Sequence, residues 1–153
     1  MTLVKFVHIL GCALWIGGWI AGMIFSSSME GASADARAAA FRAIGRLHST
    51  VIGLGALLVL GTGVVLTMNM NAGGWGSLMQ DPKLWVMVLT GLAAGLLVIF
   101  VVLPTATRAT ALAVVTKSGE FPPAFETYRK RLSAVSAVAG VLAVVALFSW
   151  YVL

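Results

Sequence analysis

Residues 6–25, 47–70, 84–107 and 132–153 of this chain contain no Asp, Glu, Lys or Arg. Each stretch matches the length of about 20 apolar residues that a helix needs to cross the hydrocarbon core of a bilayer. A soluble domain has no reason to carry four such runs. The pattern predicts an all-α integral membrane bundle of four transmembrane helices, forming a single transmembrane domain over residues 1–153. The spans are expected at about 4–27, 47–70, 83–107 and 130–153.

The lipid bilayer is therefore the first expected partner. Only 10% of the residues are charged and 60% are hydrophobic, against about 25% charged in an ordinary soluble domain. The net charge of +5 does not indicate nucleic acid, because the Lys and Arg residues are scattered at span ends and form no basic stripe interleaved with exposed aromatics. Cys12 is the single cysteine and has no partner for an intrachain disulfide. Lys5, the first apolar run and Ala32-Ser33-Ala34 imitate a secretion signal with its cleavage site. The run is longer than the usual apolar core of about 7–15 residues, and it reads as a true span.

Local signals place the helix ends. The first helix is expected to finish around Ser26-Ser27-Ser28. Ser33 is a candidate N-cap, with Asp35 in the first turn behind it. From there an Ala-rich, basic segment runs to Arg46 and joins the second span. Residues 69–76 are rich in turn formers and read as a loop. Asp81-Pro82 supplies a cap and a proline at the first helical position. Pro104 is expected to kink the third helix near its far end. Ser118-Gly119 is expected to close it, and Pro122-Pro123 to open the fourth.

Charge sets the orientation. The segments 26–46 and 108–131 carry eight Lys/Arg (Arg37, Arg42, Arg46, Arg108, Lys117, Arg129, Lys130 and Arg131), whereas the other side has Lys5 and Lys83 alone. A positive-inside bias of this size places both termini and the 69–81 loop on the outer side. Gly18 with Gly22, and Gly91 with Gly95, form two G-x-x-x-G patterns. Such faces let helix backbones approach closely. They serve packing within the bundle, or contact with a homo-oligomer or a larger membrane complex.

The spans leave few groups for chemistry. Without Asp, Glu or Arg they offer neither an intramembrane proton relay nor a carboxylate pair for acid–base catalysis. The catalytic residues, if any, are not indicated. What remains is a set suited to soft metals or haem: two histidines, one thiol, methionines and tryptophans. His8 lies near the outer face with Cys12 one turn on, and Trp15 and Trp19 continue that stripe. His8 either bonds a carbonyl of another helix or ligates a metal or haem, and Cys12 is either a small core residue or a ligand. His48 is an interfacial residue at the inner end of the second span, or a cofactor ligand. It falls on the order of 20 Å from His8 by helical rise, too far for one iron to take both. Met70 continues the stripe of His48, Ile52, Gly55, Val59, Thr62 and Leu66, and Met87 lies at a depth similar to His8. Imidazole, thiol and thioether from His8, Cys12, Met70 and Met87 together favour Cu(I). Trp75, Trp85, Trp150 and Tyr151 read as an aromatic belt at the outer face.

Several of these segments resemble known families. The run H-I-L-G-C-A-L-W-I-G-G, from His8 to Gly18, is similar to a first helix found in copper-resistance D (CopD-like) proteins and in HemJ-type protoporphyrinogen oxidases. Residues 41–47 leading to Gly61-Thr62-Gly63 resemble the CopD-like second helix. Lys83-Leu84, Leu103-Pro104 and Arg108 resemble the third. The resemblance implies a bacterial inner-membrane, multi-pass, metal-handling protein binding copper, or a haem b protein with redox activity. His8 is the position both families imply as functional, and Lys83 matches the lysine that opens the third helix. The histidine that HemJ-like chains place in the middle of that helix is absent here, where the sequence reads Gly91-Leu92-Ala93-Ala94-Gly95.

Overall fold

The computed structural model describes residues 1–29, 31–70, 81–116 and 120–152, with backbone only for Met70 and residues 150–152. Among the described residues there is no strand. In lipid a spanning segment must satisfy its own backbone, and helices do this internally. Four rods result. The first is α1 (Thr2–Ser28). The second joins α2 (Ala34–Leu47) to α3 (Gly53–Met70) through a π-helical turn at His48–Ile52. The third joins α4 (Pro82–Leu97) to α5 (Leu103–Leu112) through another at Val98–Val102. The fourth is α6 (Pro123–Val152). All four are long and apolar enough to cross a membrane.

The expected caps are present. Ser33 Oγ accepts from the Ala36 amide at 3.3 Å. Asp81 Oδ1 accepts from the amides of Lys83 and Leu84 at 3.0 and 3.4 Å, ahead of Pro82 in the first turn. Gly31, with φ of 84°, supplies the left-handed backbone that turns the chain from α1 into α2. The third rod closes at Leu112, earlier than the expected Ser118-Gly119, which lies outside the described residues. Ala113 leaves helical geometry at ψ 56°, and its carbonyl accepts from Arg42 Nη1 at 3.1 Å. A contact with α2 thus replaces the continuing helix.

Neighbouring rods run antiparallel. Gly11 lies against Leu58 and Val59, Gly18 against Ile52, and Gly22 near Leu47. Gly95 lies against Leu60, and Gly53 against Leu103. The ring is closed by α1 on α3, α3 on α4, α4 on α6 and a lighter contact of α6 on α1. The residues that meet are small. Ala56, Ala94, Ala106, Ala109, Ala139 and Ala143 join Trp15, Ile52, Val98, Val102 and Leu132 in the core. A Cβ on Gly55 would stand 2.7 Å from the Trp15 amide nitrogen and 2.9 Å from the Gly11 carbonyl oxygen. The backbones of α1 and α3 therefore touch there, and only glycine permits it. Both G-x-x-x-G pairs are engaged within the chain, since Gly18, Gly22, Gly91 and Gly95 all meet atoms of a neighbouring rod.

Each π turn has a local cause. His48 Nδ1, Ser49 Oγ and Thr50 Oγ1 donate to the carbonyls of Ile44, Gly45 and Arg46 at 2.9, 3.1 and 2.7 Å. Those carbonyls are the regular acceptors for the amides of residues 48–50, so three consecutive side chains compete with the ladder. In the third rod Pro104 lacks an amide hydrogen and its ring crowds the Phe100 carbonyl. The proline effect expected at the far end takes the form of a widened turn over Val98–Val102.

The remaining end is closed by α2 and the start of α6. Phe125 is fully buried, edge-on to Phe41 at 4.9 Å and stacked on Phe121 at 4.5 Å. Glu126 pairs with Arg129 at 2.8 Å and more loosely with Arg37 at 3.9 Å. These pairs are exposed and add little stability.

Gly95→Leu should lower the melting temperature in detergent clearly, because a Cβ there already falls 2.6 Å from Leu60 Cδ2. Overpacking of this kind costs about 1–3 kcal/mol. Gly17→Leu, at a position with no atom within 4 Å, should leave melting nearly unchanged. Equal effects from the two variants, read by thermal unfolding, would contradict the packing described.

Candidate functional site

The two histidines sit on facing rods at different depths. His8, on α1, lies against Thr62 and Gly63 of α3. His48 is fourteen residues before Thr62 on the same rod. At about 1.5 Å of rise per residue the two imidazoles are separated by about 20 Å along the bundle. They form two sites.

At the first, His8 is half-buried and its Nδ1 lies 2.8 Å from Thr62 Oγ1. The Thr62 hydroxyl spends its one proton on the carbonyl of Leu58. It can therefore only accept from the ring, so Nδ1 carries the hydrogen and Nε2 carries a lone pair. The carbonyl of Val59, also on α3, is a further hydrogen-bond partner of the ring. An imidazole oriented by a hydrogen bond from one ring nitrogen is the arrangement that metal-ligating histidines adopt. Thr62 belongs to the stripe that marks the packed face of α3, but its pairing with His8 depends on the register between α1 and α3, which no local pattern encodes.

The other expected donors are placed less favourably. Cys12 is half-buried one turn along α1. Met87 is half-buried on α4, a helix that makes no substantial contact with α1. The side chain of Met70 lies outside the described residues, as do those of Trp75, Trp150 and Tyr151. No group of three or more His, Cys, Asp or Glu able to hold a metal occurs among the described residues. Lys83 is exposed in the first turn of α4.

The second site is buried. His48, two residues after Arg46, is 5% exposed and packed inside the bundle. Buried Ile44 lies one α turn before it on the same face, so α2 itself turns the ring into the bundle. Its Nδ1–H is held by the Ile44 carbonyl, so Nε2 is the acceptor and faces Ser136 Oγ at 3.4 Å. The same small cavity is lined by Trp15, Trp19, Val98 and Ala139, with a volume of about 10 Å³. That is at the lower limit for one water molecule. Trp19 Nε1 is buried there without a hydrogen-bond partner. Gly140 makes room for its indole, since a Cβ at 140 would enter the ring. Ser136 and Gly140, one turn apart on α6, are the members of this site that sequence reading did not single out.

Comparison with protein-family models, characterised proteins and solved structures gives no match for this chain.

His48→Ala should destabilise the protein more than His8→Ala. Truncating a buried core side chain costs about 2–5 kcal/mol, and the Ile44 carbonyl loses its side-chain donor, whereas His8 is half open. Thermal unfolding of both variants in the same detergent tests this ranking; a greater loss from His8→Ala would reverse the assignment of the buried histidine.

Proposed function

We propose that this chain is a CopD-like multi-pass membrane protein that binds a soft metal ion, copper(I) foremost, through His8. The observation that supports this is the hydrogen-bond chain from His8 Nδ1 to Thr62 and from Thr62 to the Leu58 carbonyl. It orients the ring and assigns the lone pair to Nε2. Cys12, one turn away, is the next donor in reach of the same helix face. Met70 and Met87 complete the proposed set. Cu(I) is the ion that imidazole, thiol and thioether donors favour together.

The positive-inside bias supports the orientation. Arg37, Arg42, Arg46, Arg108, Arg129, Lys130 and Arg131 gather at the end where α2, the end of α5 and the start of α6 meet. In the proposed topology this end faces the cytoplasm of a bacterial cell, and both termini and His8 lie toward the outer side. Cysteine labelling should reach Gly73→Cys from outside and Ser118→Cys from inside. Labelling in the reverse sense would sink the topology.

A second reading rests on the same histidine. An axial imidazole for haem b needs a tethered Nδ1, and the Thr62 contact of His8 offers one. The optical spectrum separates the two. For copper, His8→Ala should weaken Cu(I) binding about 10-fold or more, since each factor of ten corresponds to about 1.4 kcal/mol. Cys12→Ala and Met70→Leu should act in the same direction, whereas Met68→Leu and His48→Ala should leave affinity unchanged. Thr62→Val should weaken binding as well, because the ring loses its anchor. For haem, the purified protein should show a Soret band that His8→Ala abolishes. A protein with neither Soret band nor copper, and with no rise in melting temperature on adding Cu(I), would defeat both readings. It would favour a structural subunit of a larger complex.

A further inference from the structure

At the basic end, α5 and α6 frame an open groove of about 190 Å³ lined by Phe100, Val101, Pro104, Thr105, Arg108, Tyr128 and Arg131. Its polar groups share one property. Arg108 and Arg131 form no ion pair among the described residues. Among the described residues, the one ion-paired carboxylate at this end, Glu126, is engaged by Arg129 and Arg37. Thr105 is 5% exposed, yet its hydroxyl makes no hydrogen bond among the described residues, unlike those of Thr107 and Thr110, which donate back to their own helix. The Tyr128 hydroxyl has no such partner either. Two guanidinium groups and two hydroxyls thus face one groove with their hydrogen-bonding capacity unspent, and no carboxylate lines it.

The groove also has a direction. Arg108 and Arg131 stand at the span ends, while exposed Phe100 lies eight residues deeper on the third rod, about 12 Å into the apolar zone. Guanidinium groups match phosphate oxygens in geometry as well as charge. A polar head between two arginines, followed by an apolar wall, is the profile of an amphiphile.

We propose that this groove binds one anionic phospholipid from the leaflet at the basic end. Its phosphate sits between Arg108 and Arg131, with Thr105 and Tyr128 as further donors, and an acyl chain lies along Phe100 and Val101. A basic pocket between transmembrane helices is a known physical solution for anionic headgroups. Zwitterionic lipid carries its own cation and gains less from the pair.

The test uses the full chain in a neutral detergent. Phosphatidylglycerol, phosphatidylcholine and inorganic phosphate are titrated separately, with binding read by native mass spectrometry and melting temperature. Phosphatidylglycerol should bind and raise the melting temperature. The double variant Arg108→Gln/Arg131→Gln should weaken its binding roughly 30-fold, from about 1 kcal/mol for each basic residue. The control Arg46→Gln/Lys130→Gln removes equal charge from the same end outside the groove and should retain binding. Thr105→Val should weaken binding without removing charge. Equal binding of phosphatidylcholine, full reproduction of the effect by inorganic phosphate, or an equal loss in the control variant would each overturn the proposal.

Discussion

Helices in a bilayer gain little by turning apolar side chains toward one another, because lipid is as apolar as leucine. What holds this bundle together is close approach of backbones, and the Gly11–Gly55 crossing is its tightest instance. The antiparallel register of α1 on α3 follows from it. That register sets Gly18 against Ile52, Gly22 beside Leu47 and His8 beside Thr62. Shifting the crossing by one turn would separate His8 from its acceptor and leave Nδ1 without a partner. The geometry of the candidate ligand is thus a by-product of where two glycines meet.

The same logic explains why the core is made of alanine. Large side chains such as Leu57, Phe100 and Phe148 point outward, whereas the core cluster is six alanines with two valines, Ile52, Leu132 and Trp15. In water this distribution would be inverted. It stands as an internal check on the membrane reading, since exposed phenylalanine and buried alanine are favourable together only where the surroundings are apolar.

Much of this architecture was legible in the sequence because it depends on local pattern. Span number, the Ser33 and Asp81 caps and the start of α6 at Pro123 all follow from residue type and spacing. The inward stripe of His8, Cys12, Trp15 and Trp19 was legible from period, although only Trp15 is fully buried. What was not legible depends on register between rods. The pairing of His8 with Thr62 and the meeting of His48, Ser136 and Trp19 require that three rods be aligned to within one turn. The burial of His48 escaped for a further reason. Arg46, two residues earlier, marks this stretch as interfacial, but His48 shares the inward face of α2 with Ile44. Neither π turn has a regular sequence signal, although Pro104 and the run of side-chain donors at residues 48–50 supply the causes.

The π turns have a bearing on how one chain meets two solvents. An α-helix has a fixed phase, so a face that points at a neighbour in one half of a long rod points the same way in the other. Each π turn holds one residue beyond the α repeat and advances that phase by about 100°. In the second rod this uncouples α2, which must turn Arg42 and Arg46 toward water, from α3, which must turn Gly55 toward α1. Two amphipathic programmes with different compass bearings can then be written on one uninterrupted helix, and no loop is needed at the membrane boundary to reconcile them.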